Sequence, residues 1–111
     1  MLLASDVLRG FTDTIILAYL VRGDSYGYAI NKSLARLSGG AFELKEATLY
    51  TSFRRMEESG LIRSYWGEEG AGARRRYYAV TPEGERLYRE NLRDWSALQT
   101  LLNAVFEEEK Q

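Results

Sequence analysis

The sequence predicts an α+β fold that is mostly helical, and three observations carry that expectation. Apolar residues recur at helical spacing in three successive segments before residue 60; two short runs rich in aromatic and β-branched residues then flank a glycine cluster; and a capped, apolar-banded segment runs to the end. Helix, helix, helix, hairpin, long helix is the order of a winged helix-turn-helix with a long C-terminal helix.

In the first helix Leu8, Phe11, Ile15, Ala18 and Tyr19 recur at helical spacing, Leu20 and Val21 follow, and Gly23-Asp24 breaks the pattern. It is apolar on more than one face, as expected of a helix sandwiched between its own core and a second subunit. Asp24 or Ser25 is the expected cap of the second helix, whose Tyr26, Ile30, Leu34 and Leu37 form a stripe ended by Ser38-Gly39-Gly40. The third helix is expected from about Glu46 to Ser59, with Leu49, Phe53 and Met56 toward the core, Gly60 as a left-handed stop and Leu61 as the apolar contact after it. Ile62 to Trp66 and Arg75 to Val80 read as a β-hairpin around the tip Gly67-Glu68-Glu69-Gly70-Ala71-Gly72-Ala73. Thr81-Pro82 starts the final helix, and Glu83 and Glu85 favour its positive dipole end. Continued to about Glu109 at ~1.5 Å per residue, it extends roughly 42 Å, longer than so small a domain is wide.

With 111 residues, 45% of them hydrophobic, the chain suits one compact unit with a modest core. It has no cysteine and no histidine, so disulfides, thiolate metal sites, cysteine nucleophiles and the commonest general base are excluded. Carboxylates abound without a pairing that suggests an active site, and no catalytic residue, metal site or cofactor is expected. The longest apolar run, Ile15 to Val21, is far short of the roughly 20 residues that span a bilayer, and no basic segment leads into a signal-like stretch, so a cytoplasmic location is expected.

The net charge of −1 denies any argument for nucleic-acid binding from overall charge. Local charge supplies one instead: Arg54, Arg55, Arg63, Arg74, Arg75 and Arg76 lie mid-chain, whereas Glu107 to Glu109 lie near the end. With Leu49, Phe53 and Met56 inward, Lys45, Thr48, Thr51, Ser52 and Arg55 turn to other faces of the third helix, and Tyr50 and Arg54 lie at the borders. Small hydroxyls let such a helix approach a major groove, and arginine bonds guanine or phosphate; a merely solvated polar face is the plainer alternative. On the following strand Arg74 and Arg76 share a face that Arg75 leaves, and the glycine-rich tip, Gly72 included, permits close approach to a phosphate backbone. For Arg75 the alternative is an ion pair with Glu68 or Glu69.

In the last helix Leu87, Asn91, Trp95, Leu98, Leu102 and Val105 recur at steps of four and three, with Tyr88, Leu92, Leu101 and Phe106 alongside. This band exceeds what one small domain covers, and a self-complementary dimer seam explains it. Trp95 either fills that seam or, paired with its own copy near a two-fold axis, sandwiches a flat ligand. Residues 1–81 are then the DNA-binding winged-helix domain, and residues 82–111 a dimerisation helix forming one unit with it.

At Glu46-Ala47-Thr48-Leu49-Tyr50-Thr51, Arg54-Arg55-Met56-Glu57, Gly60-Leu61-Ile62, Ser64-Tyr65-Trp66-Gly67, Arg74-Arg75-Arg76-Tyr77-Tyr78 and Thr81-Pro82-Glu83-Gly84 the chain resembles the PadR family of bacterial transcriptional regulators, and within it the small LmrR-like multidrug-sensing subfamily. Asp24-Ser25-Tyr26-Gly27-Tyr28 is similar to the family's start of helix two. The resemblance implies a homodimeric repressor in which helix four packs across the partner's helices one and four, while helix three and the wing read a double-stranded DNA operator. It places Tyr50 and Arg74 to Arg76 against the backbone and Lys45, Thr48 and Thr51 nearest the groove. It also puts Trp95 on the subfamily's drug-stacking tryptophan, with Val7, Gly10, Thr14 and Ala18 of helix one and Leu92, Ser96 and Gln99 of helix four as the pocket wall for a planar aromatic effector. Gln99 stands where the subfamily carries an acidic residue and Ala18 where it carries an asparagine, so no preference for cationic drugs is carried over; Thr14 is more polar than the aliphatic residue expected there. The rival reading is a winged-helix protein-interaction module that binds no DNA, favoured by the acidic balance and by Glu46, Glu57 and Glu58 on or near the reading helix.

Overall fold

Two glycine stops set the spacing of the helices. In the computed structural model, which describes residues 9–67 and 74–110, a single 3-10 turn at Arg9–Phe11 leads into α1 (Thr12–Leu20), followed by α2 (Gly27–Leu37) and α3 (Glu46–Glu58). Beyond α2, the Gly40 amide donates to the Ala35 carbonyl at 2.7 Å and the Gly39 amide to Arg36, while both glycines have positive φ. Beyond α3, Gly60 at φ 78° lets the Leu61 amide donate to Met56 at 2.9 Å. Both closures satisfy carbonyls that a helix end otherwise leaves without partners.

Strands β1 (Ile62–Trp66) and β2 (Arg76–Val80) pair antiparallel, with Ile62 opposite Val80 and Trp66 opposite Arg76. A further bridge joins Ser25 to Tyr78 through backbone bonds of 3.2 and 2.8 Å. This bridge corrects the expected cap of α2. Ser25 is held as an extended residue on the sheet, and Tyr26 becomes the N-cap without a side-chain bond. The α2 stripe is also shorter than expected, because Leu37 lies in the last turn and is 78% exposed.

The core joins Ile16, Leu17 and Leu20 of α1, Ile30 of α2, Leu49, Phe53 and Met56 of α3, and Ile62 and Tyr78 of the sheet. Phe53 and Tyr78 stack with ring centroids 3.8 Å apart, fixing α3 against β2. Leu44, in the α2–α3 connection, completes the core because Asn31 grips its backbone twice, donating to its carbonyl at 2.7 Å and accepting from its amide at 2.8 Å. That clamp sets where α3 begins.

The last helix, α4 (Pro82–Glu109), starts as its residues require: Thr81 Oγ1 accepts from the Gly84 amide at 3.1 Å and Pro82 follows. Its first turns pack Leu87 and Tyr88 against the core, and Asn91 Nδ2 donates to Thr14 Oγ1 of α1 at 2.9 Å. From Arg93 onward the residues of α4 are exposed on every face, and the described residues reach 62 Å in their longest dimension. Among the described residues no helix is long and apolar enough to cross a membrane, and no acidic cluster suits a metal ion.

Candidate nucleic-acid interface

A helix turning about 100° per residue places Ala47, Thr51, Arg54 and Glu58 on the ridge opposite Leu49, Phe53 and Met56. All four are exposed. Thr51 and Arg54 are therefore central to the outward face. Ala47 was missed in the sequence, although the same projection finds it. Thr48 and Arg55 occupy the flank toward α1; Tyr50 and Glu57 occupy the flank toward the sheet. Ser52, expected on a polar face, is 4% exposed, because its position borders the core side next to α1. Lys45 is the exposed N-cap residue of α3 and makes no side-chain cap bond.

The arginines differ sharply in how they are held. Arg55 forms a two-pronged ion pair with Asp13 of α1, at 2.7 and 2.8 Å, and the carboxylate raises the guanidinium pKa. Arg55 thus sits on the α1 flank of α3, held by Asp13 while its side chain stays more than half exposed. Arg76 donates to Ser64 Oγ at 2.8 Å and lies 3.6 Å from Glu57, which itself accepts from the Ser64 hydroxyl and amide. Arg74 and Arg76 both lie over the Trp66 ring, at 5.5 and 5.7 Å, whereas Arg75 lies over Tyr26 at 4.9 Å. Arg74 and Arg75 precede β2 rather than lying on it as expected, yet Arg74 and Arg76 still share a side that Arg75 leaves. Trp66, read in the sequence as a strand end and part of a motif, is the platform that gathers two of the arginines. Tyr26, Gly27, Tyr28, Tyr50, Trp66, Tyr78 and Arg74 to Arg76 line one cleft of about 570 Å³ beside the N-terminal half of α3. Gly72, like Glu68 and Glu69, lies outside the described residues.

Below the wing Tyr65 stacks on Tyr77, and its hydroxyl donates to Asp24 at 2.5 Å, an anionic acceptor that raises the phenol pKa. Sheet, α2 start and α3 therefore form one rigid platform under the arginines.

On the opposite side α1 and α4 enclose an apolar groove of about 560 Å³, lined by Phe11, Thr14, Ile15, Ala18, Tyr88, Leu92, Trp95, Leu98 and Leu102. Trp95, 42% exposed, meets the Phe11 ring edge-on with centroids 5.3 Å apart. Thr14, Ala18, Leu92 and Trp95 are brought together as the resemblance implied. Gly10 borders a smaller adjoining recess with Asn91 and Asp94. Ser96 and Gln99 are exposed and do not line the groove, although Gln99 follows Trp95 by one turn on the same stripe of α4; Val7 lies outside the described residues. The polar Thr14 has its explanation in the bond from Asn91.

Residues 16–90 match the model of the transcriptional regulator PadR-like family. A solved transcriptional regulator from Clostridium thermocellum is 44% identical, with TM-score 0.84, over 93% of this chain and 97% of that one. A PadR family transcriptional regulator from Eggerthella lenta is 35% identical with TM-score 0.80, covering 92% of this chain and 87% of its own. Another from Clostridium difficile is 32% identical with TM-score 0.75, covering 86% and 98%. The family is one of DNA-binding transcription regulators, generally dimeric, rather than of enzymes. By family match, winged-helix architecture and the basic platform beside α3, this chain belongs to the PadR-like family of transcriptional regulators.

Proposed function

We propose that the protein is a homodimeric repressor that grips a double-stranded operator with α3 and the wing, and that a small planar aromatic or hydrophobic ligand at the dimer interface alters that grip, as in the LmrR-like subfamily. Residues 1–81 supply the reading and residues 82–111 the dimerisation helix. The observation that carries the reading is the geometry of α4: Trp95, Leu98, Leu101, Leu102, Val105 and Phe106 are 37–59% exposed beside an apolar groove, on the same fold that presents the α3 ridge. A band of that size is covered when a second copy packs against it. Ser96 and Gln99 then belong to the face turned to the partner, and two α3 ridges address the halves of a pseudo-palindromic site.

Lys45 and the exposed hydroxyls of Thr48 and Thr51 suit the groove, while Tyr50 and Arg74 to Arg76 suit the phosphates. A ligand response has a route in the bonds already described: Asn91 of α4 holds Thr14, and the adjacent Asp13 holds Arg55 of α3. Anything that shifts α1 at the groove acts on the reading helix through this strut.

Titration against duplexes from its own promoter region at rising salt is the test. Specific binding that weakens steeply with salt is expected, since phosphate neutralisation releases counterions; absent or salt-insensitive binding refutes the reading in favour of a protein-interaction module. For the ligand, Trp95 emission should change with planar aromatic compounds, and unchanged emission across a broad panel with DNA binding intact would leave Trp95 as seam packing alone.

A further inference from the structure

The platform carries several cations, but among the described residues Arg54 is the one arginine that is both aimed outward from α3 and uncommitted, Lys45 being a point charge at the N-cap. Arg55 is locked to Asp13, Arg76 to Ser64 and Glu57, Arg74 is stacked on Trp66, and Arg75 lies over Tyr26. Arg54 is exposed and has no ion pair or hydrogen bond among the described residues. It stands on the outward ridge one turn beyond Thr51, between that hydroxyl and Glu58.

We infer that Arg54 is the base-reading arginine of this protein and recognises a guanine in the major groove, while the other arginines hold the backbone or the fold. The inference rests on the DNA-binding reading above. A guanidinium presents two parallel donors that match guanine O6 and N7, the commonest specific contact in a major groove. A side chain already engaged in a two-pronged pair has to give up that pair before it reads a base, so Arg55 is a poor candidate. Thr51 lies about 4.5 Å before Arg54 along the helix axis, a little over one base step, which brings its methyl and hydroxyl to the pair next to that guanine. Glu58 on the same ridge repels phosphate, so the N-terminal two-thirds of α3 enters the groove and the C-terminal end stays out.

The experiment selects a preferred duplex from a random pool with the full-length wild-type chain, then repeats the selection with Arg54→Ala and, as a control, Arg55→Ala. Arg54→Ala is expected to lose the preference for one G·C pair in each half-site. It should bind the preferred duplex roughly 10- to 100-fold more weakly, with little change on a scrambled duplex. Replacing that guanine by 7-deazaguanine should weaken wild type and leave Arg54→Ala unaffected, whereas Arg55→Ala should keep the selected sequence. Retention of the full preference by Arg54→Ala, with equal weakening on every duplex, overturns the inference and makes Arg54 a phosphate contact. A wild-type chain that selects no duplex at all overturns the DNA-binding reading with it.

Discussion

Tyr78 is 5% exposed, its ring stacked on Phe53, and burial pushes its phenol pKa above the usual 10.0. The folded chain therefore keeps a proton that the unfolded chain releases. This contribution to stability is complete below the unfolded value near pH 10 and is lost as pH rises through the folded one. Thermal melts followed upward from about pH 8 should show Tm falling more steeply in the alkaline range for wild type than for Tyr78→Phe. Equal slopes would mean that this ring does not couple folding to alkali. The same residue shows what a chain position does not reveal. Tyr78 is legible as a strand residue, yet its stacking on Phe53 joins positions 25 apart, and its backbone pairing displaces Ser25 from the expected capping role.

At the scale of elements, α4 is anchored by a very tight approach. A Cβ built on Gly84 would lie 2.0 Å from the Leu61 carbonyl oxygen and 2.8 Å from Val80 Cγ2, so the first turn of α4 rests directly on the backbone that follows α3. Gly84→Ala should therefore destabilise the fold by about 3 kcal/mol despite its better helix propensity, as forced overpacking does. Urea unfolding measures this directly, and a neutral or stabilising result would show that the helix shifts freely. Helix ends were readable because caps and glycine stops act within a few residues: Thr81-Pro82 and Gly60 perform as their chemistry demands. The Asp13–Arg55 pair was not readable, because it joins residues 42 apart and depends on how α1 crosses α3.

At the scale of the molecule, one half is a closed core and the other a helix bearing an open apolar band. On the proposed dimer, placing a charge in that band separates dimerisation from folding. Leu102→Asp, at a side chain 37% exposed in the isolated chain, should leave the helical circular dichroism intact. An unpaired carboxylate buried in a seam costs about 3 kcal/mol or more, so the dimer dissociation constant should rise by roughly 100-fold. Analytical ultracentrifugation reads the change, and operator affinity should fall with it because each half-site loses its tethered neighbour. Unaltered sedimentation would place the seam elsewhere.

Sequence alone determined the order of elements, the glycine stops, the Thr81-Pro82 start of the last helix, the core face of α3 and the presence of the hairpin, because periodicity, turn chemistry and propensity are local. Its motifs also pointed to the family. Tertiary structure alone decided which polar groups remain available. It buried Ser52, committed Arg55 to Asp13 and Arg76 to Glu57 and Ser64, gathered arginines over Trp66, and left Arg54 facing out. Charges choose partners by distance in space, and that distance is set only when α1, α3 and the hairpin pack around one core.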